Sequence, residues 1–99
     1  MAPRITEFYA TRKARAHILD KHGITLEDAL EAVESTPRYR RTRSGPDGEP
    51  RYYVAGRTQD GRRLWVIFAH ERGGRGRIIT AREATGETER SRHKRMRGD

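Results

Sequence analysis

The segment Arg77-Ile78-Ile79-Thr80-Ala81-Arg82 sets a hydroxyl between two guanidiniums. Such a trio can hold a phosphate and offset the charge of a pentacovalent intermediate, because a guanidinium presents a planar fork of donors that matches phosphate oxygens. On a regular strand, Arg77, Ile79 and Ala81 share one face, and Ile78, Thr80 and Arg82 share the other. Ile79 and Ala81 suit a face packed on helices, which leaves Thr80 and Arg82 outward. Arg77, beside the glycine-rich turn Arg72-Gly73-Gly74-Arg75-Gly76, has the freedom to swing round and join them. Imidazole titrates near neutrality, so His70 or His93 can serve as general acid or base. His17 and His22 fall on an earlier helix and read as structural. No pair of His, Asp or Glu has the spacing of a metal site, and no glycine-rich segment follows a strand and opens a helix as a nucleotide loop does. The chain has no cysteine, which excludes disulfides and thiolate-bound zinc. No metal and no cofactor is expected.

The surroundings of that trio are strongly basic. Over 99 residues, 22 Lys and Arg against 14 Asp and Glu give a net charge of +8. Residues 1–36 carry five basic and six acidic side chains, whereas residues 37–99 carry 17 and eight. Nineteen of the 22 cations are arginine. A GC-rich genome accounts for that preference as readily as function does, but it does not explain why the excess sits in one part of the chain. Three basic clusters stand out: Arg38, Arg40, Arg41 and Arg43; Arg72, Arg75, Arg77 and Arg82; and Arg90, Arg92, Lys94, Arg95 and Arg97. Brought onto one surface they make a basic groove suited to a phosphodiester backbone; left apart they are a solvated face. Tyr39, Tyr52 and Tyr53 lie among them and can stack on bases or pack across strands.

The elements that must position these residues follow from periodicity. Thr11 caps a helix from Arg12 to Lys21, with Gly23 as its stop, and Thr25 caps a second. Leu26, Ala29, Leu30 and Val33 line one face of that second helix, Glu27 and Asp28 suit its first turn, and Pro37 forbids continuation. A short strand at Ile5 to Phe8 precedes the helices. Beyond Pro37 the period becomes extended: an edge strand at Tyr39 to Arg43, a second strand at Tyr52 to Ala55, a doubly apolar central strand at Leu64 to Ala69, and a last strand at Arg77 to Arg82. Connections this short imply antiparallel pairing. Thr85 caps a final basic helix that reaches about Arg95. The expected fold is α+β: two N-terminal helices packed on a four-stranded, mainly antiparallel sheet, plus a basic C-terminal helix, all in one domain over residues 1–99. No apolar run approaches the roughly 18 residues of a membrane span, and the start MAPRITEF has no signal-peptide core, so the expected compartment is the cytoplasm.

An ordered set of motifs resembles the BrnT family of small bacterial toxins. The set is Lys21-His22-Gly23-Ile24-Thr25, Gly56-Arg57-Thr58 with Asp60-Gly61-Arg62, Glu71-Arg72-Gly73, and Arg77-Ile78-Ile79-Thr80-Ala81-Arg82. It spans about residues 8–93. The resemblance implies a RelE-like fold, a metal-independent ribonuclease activity that stops translation, and neutralisation by a ribbon-helix-helix antitoxin of the BrnA kind encoded beside the toxin. A homodimer or a heterotetramer with that antitoxin is the assembly to look for. Position by position, the family's basic catalytic patch falls on Arg77, Thr80 and Arg82, with Thr80 where serine is usual. Glu71 matches the acidic residue before the last hairpin, Lys21 and His22 match the KHG motif, and His93 stands where the final helix carries tyrosine.

The expected function is therefore a toxin of a type II toxin–antitoxin system. It would act as an endoribonuclease on RNA, including mRNA on the ribosome, with Arg77, Thr80, Arg82, Glu71 and His93 as catalytic candidates. Arg38, Arg40, Arg41, Arg43, Arg72, Arg75, Lys21 and His22 are the RNA-binding candidates. The alternative is a non-catalytic basic module that binds RNA or the ribosome, since charge and arginine usage require only binding.

Overall fold

A computed structural model describes residues 4–36 and 38–98. In chain order it contains β1 (Glu7–Tyr9), α1 (Arg12–His22), α2 (Leu26–Glu34), β2 (Tyr39–Thr42), β3 (Arg51–Arg57), β4 (Arg63–Glu71), a single 3₁₀ turn at Arg72–Gly74, β5 (Arg75–Glu83) and α3 (Glu87–Arg97).

Local chemistry sets the helix ends. Thr11 Oγ1 accepts from the Ala14 amide at 3.1 Å, and Gly23 closes α1 at φ 63°, a conformation that favours glycine. Thr25 and Asp28 exchange the two hydrogen bonds of a capping box at the start of α2. α2 ends at Glu34, capped by Ser35; the expected stop at Pro37 lies outside the described residues. α3 departs from expectation at both ends. Gly86 at φ 79° precedes it, and no side chain caps it. Thr85 donates its amide to the Glu89 carboxylate rather than acting as the cap, and the helix continues to Arg97.

The sheet has five strands, in the order β1-β5-β4-β3-β2, not four. β1 adds to the edge of β5 in parallel, with Tyr9 opposite Arg77, while the other pairs are antiparallel as expected. A strand of three residues is too short to show alternation, and its partner lies at the far end of the chain, so neither its pairing nor its direction is legible locally. β4 is central, as its doubly apolar run requires.

One face of the sheet carries α1 and α2. Val54, Leu64, Val66, Ile78 and Ala81 meet Ile18, Ile24, Ala29, Ala32 and Val33 there in one buried cluster. Phe8, Tyr39, Tyr52 and Phe68 extend it as a set of ring contacts between 5.0 and 6.3 Å. α2 rests on β3 at Gly56, where a Cβ would stand 2.2 Å from the Ala32 carbonyl oxygen. The opposite face, called outer here, carries α3, which rests on β3 and β4.

The last strand is not regular. Ile67 pairs with Thr80, but Phe68 pairs with Ile78, so Ile79 is an extra residue in β5. This bulge corrects the alternation read from the sequence. Ile78, expected outward, is buried in the core together with Ala81. Arg77, expected on the helix side, shares the outer face with Thr80 and Arg82 and needs no swing.

Candidate active site

The cross-strand register lays the outer face out in three rows. Tyr9, Arg77, Ala69 and Arg51 form the first; Thr80, Ile67, Tyr53 and Arg40 the second; Arg82, Trp65 and Ala55 the third. Successive rows are two residues apart along β4, about 7 Å. Thr80 thus stands between the rows of Arg77 and Arg82.

The first row is a dense polar cluster. Arg77 donates through Nε to Glu71 Oε2 at 2.9 Å and through a terminal nitrogen to Glu49 Oε2 at 2.6 Å. Glu49 also receives Arg51 at 2.9 Å, across the small Ala69. The Tyr9 hydroxyl donates to Glu71 Oε1 at 2.6 Å. That hydrogen bond, followed by Arg77, holds the Glu71 carboxyl below the usual carboxylate range despite its partial desolvation. The same bond raises the Tyr9 phenol above its ordinary value, because ionising it would place two anions together. At neutral pH the cluster therefore presents an ionised carboxylate, a protonated phenol and a guanidinium. Arg75 lies over the Tyr9 ring at 4.2 Å and pairs with Glu7 at 2.9 Å.

The third row is organised by Glu89, in the first turn of α3. Its Oε1 accepts from Arg82 at 2.5 Å, from Trp65 Nε1 at 3.0 Å and from the Thr85 amide at 3.4 Å. Arg82 foremost holds this carboxyl below its usual range. Among the described residues, the Thr80 hydroxyl has no hydrogen-bond partner.

Between the second and third rows and α3 opens a cleft of about 630 Å³. Tyr53, Trp65, Ile67 and Met96 supply its apolar surface, and Arg40, Arg82, Arg92 and Arg95 supply its cations. Each of the three arginine clusters of the sequence contributes to it.

The other expected residues are dispersed. Arg38 donates to the Arg97 carbonyl at 3.0 Å, at the end of α3. Arg41 points to the helix side, against the Tyr52 ring at 5.7 Å and Ser44 at 2.9 Å. Arg43 and Arg72 are exposed, beyond β2 and in the 3₁₀ turn. Lys21 and His22 are exposed at the end of α1, on the face opposite the cleft. His93 is fully buried. Arg63 donates to its Nδ1 at 3.3 Å, Nε2 donates to the Leu64 carbonyl at 2.9 Å, and Trp65 packs edge-on at 5.0 Å. Desolvation pushes its pKa down, so the ring is a neutral structural hub. Leu64 lies seven residues from Glu71 along β4, about 23 Å; His93 cannot move protons for that cluster.

Tyr9, Glu49, Trp65 and Glu89 complete the site and were not among the expected residues. Tyr9 sits in the strand too short to read, and Glu49 in a turn-rich segment. Trp65 lies in a run apolar on both faces. Glu89 is legible only as a first-turn acid, which is its ordinary place on a helix.

Comparison with known proteins agrees with this architecture. The crystal structure of the Brucella abortus ribonuclease toxin BrnT superposes with a TM-score of 0.61 at 19% identity, covering 81% of this chain and 97% of that chain, which establishes a common fold. Curated protein sequences include no match. The family described as the ribonuclease toxin BrnT of type II toxin–antitoxin systems matches residues 9–87, most of the chain, and the chain belongs to that family.

Proposed function

We propose that the chain is a metal-independent endoribonuclease that stops translation by cutting RNA, including mRNA on the ribosome. The observation that carries the reading is the bulge at Ile79, through which Arg77, Thr80 and Arg82 share one face beside the Glu71–Tyr9 pair. In this reading the 2′-hydroxyl attacks the adjacent phosphorus. Glu71 takes the hydroxyl proton, the bond to the 5′-oxygen breaks, and Tyr9 protonates that leaving oxygen. The products are a 2′,3′-cyclic phosphate and a 5′-hydroxyl. Arg77 and Arg82 close on the non-bridging oxygens from either side of Thr80, whose hydroxyl donates the third hydrogen bond. The phosphate displaces Glu49 from Arg77 and Glu89 from Arg82, which exchanges one anion for another. The partner is a BrnA-like ribbon-helix-helix antitoxin, and the working compartment is the cytoplasm. A homodimer or a heterotetramer with the antitoxin is the assembly to test.

Purified protein incubated with RNA in EDTA should yield 2′,3′-cyclic ends, and induction in a bacterial host should arrest growth until the neighbouring gene is co-expressed. One observation favours a second reading, a non-catalytic RNA or ribosome binder: two carboxylates already neutralise Arg77. Folded protein that binds RNA with steep salt dependence and leaves it intact would establish that reading instead.

A further inference from the structure

We infer that the cleft between Tyr53, Trp65 and α3 is a nucleobase subsite that stacks one base of single-stranded RNA beside the reacting phosphate and prefers guanine. The inference rests on RNA being the substrate and adds which nucleotide is recognised, and where.

The cleft joins two features that a phosphate groove does not need. Its floor is aromatic: Tyr53 and Trp65 pack at 6.0 Å with their planes tilted by 59°, and Ile67 and Met96 flank them. Apolar surface on an otherwise charged sheet suits a base, whose faces are poorly hydrated and whose stacking on aromatic rings tolerates an open pocket. Trp65 is also held at its edge. Its indole N–H is bound to Glu89, and its ring meets His93 at 5.0 Å, so the floor is preorganised before any ligand arrives. The burial of His93, which removes it from catalysis, thereby acquires a use as support for Trp65.

The second feature is the polarity of the rim. Arg40, Arg92 and Arg95 bring donors, beside the single hydroxyl of Thr42, and Glu89, the carboxylate nearest the floor, accepts from Trp65, Arg82 and the Thr85 amide on Oε1. A donor-rich rim selects the base edge with two adjacent acceptors. Guanine presents O6 and N7, which a guanidinium grips in bidentate fashion, whereas adenine and cytosine present an amino donor there. Arg82 belongs both to this cleft and to the face it shares with Arg77 and Thr80, so a base on Trp65 and a phosphate near Thr80 can belong to neighbouring positions of one strand.

Trp65 is the only tryptophan of the chain and reports stacking directly through quenching of its fluorescence. The probes are a short 2′-O-methyl oligouridylate, which lacks the attacking hydroxyl, the same oligomer with one guanosine, versions with one adenosine or cytidine, and ribose 5-phosphate. The guanosine oligomer should quench saturably and bind about tenfold more tightly than the others, and ribose 5-phosphate should not quench. Tyr53→Leu should weaken that binding by about tenfold, the usual effect of losing one stacking partner. The pair Arg92→Ala and Arg95→Ala, at exposed positions where folding is safe, should abolish the preference for guanosine. Quenching by ribose 5-phosphate, equal affinity for all four oligomers, or no quenching in protein whose circular dichroism is native would overturn the proposal. Because no cleavage is read, protein that stacks guanosine but cuts nothing keeps the subsite and loses the nuclease. Protein that cuts RNA without quenching does the reverse.

Discussion

Replacing Tyr9 with phenylalanine removes one oxygen from the first row and leaves the ring that supports Arg75. The lost interaction is the hydrogen bond of 2.6 Å to Glu71, whose side chain is 31% exposed. A hydrogen bond to a charged group contributes about 1.5–3 kcal/mol when screened from water, and partial exposure reduces this to about 1 kcal/mol. For a domain of this length that lowers Tm by about 4–8 °C at pH 7. The pH dependence is the sharper signature. Folding lowers the Glu71 pKa, so its contribution is fully present above the unfolded value of about 4.3 and disappears as pH falls through the still lower folded value. Folding raises the Tyr9 pKa, so the contribution of the neutral phenol is present below about 10 and is lost as pH rises through the folded value. Urea unfolding across pH should therefore show a difference between wild type and Tyr9→Phe that is level from about pH 5 to 10 and shrinks at both ends. The same variant should lose about a hundredfold or more in cleavage rate, the usual scale for a general acid. A stability difference unchanged between pH 7 and pH 3 would refute the coupling of Tyr9 to Glu71.

Three further outcomes follow from the geometry. Gly56→Ala should cost about 2–3 kcal/mol, since its Cβ meets backbone of α2 at 2.2 Å and the helix must move as a whole; an unchanged Tm would contradict the packing of α2 on β3. His93→Asn should destabilise by about 2–3 kcal/mol through lost packing and hydrogen bonds. In the wild type, burial lowers the His93 pKa, so its contribution is present above about 6.5 and is lost as pH falls below that. The variant should lack this part of the slope in urea midpoints between pH 7 and pH 5. Arg82→Ala should reduce the steepness of log affinity against log salt for single-stranded RNA by about 0.7, whereas Lys21→Ala, on the opposite face, should leave it unchanged.

How much of this was legible beforehand divides along physical lines. The caps at Thr11 and Thr25, the helix face from Leu26 to Val33 and the central position of β4 all rest on local signals, and the structure keeps them. β1 overlaps the strand expected at Ile5 to Phe8, but its parallel pairing depends on a contact between residues 7 and 75 that no local pattern encodes. The outward direction of Thr80 and Arg82 was readable from alternation. The reason Arg77 joins them was not, because a bulge is a relation between two strands and Ile79 looks like any other strand residue. His93 illustrates the converse difficulty. Its chemistry suggests proton transfer, but its role depends on burial, and a helix so basic gives little sign of which two positions, His93 and Met96, face inward. Of the arginines, those facing the cleft could not be separated by type or spacing from those that cap α3 or support the other face.

The central claim is that Arg77 and Glu71 cut RNA at the bulged strand. Its most direct test is single-turnover cleavage of a short RNA by wild type, Arg77→Ala and Glu71→Gln in EDTA, with affinity measured alongside on a 2′-O-methyl analogue. Wild type should release a 2′,3′-cyclic phosphate. Both variants should fall by about a hundredfold or more in rate while binding the analogue within a few-fold of wild type. Native-folded wild type that leaves the RNA whole, or an Arg77→Ala protein that cuts as fast as wild type, would contradict it.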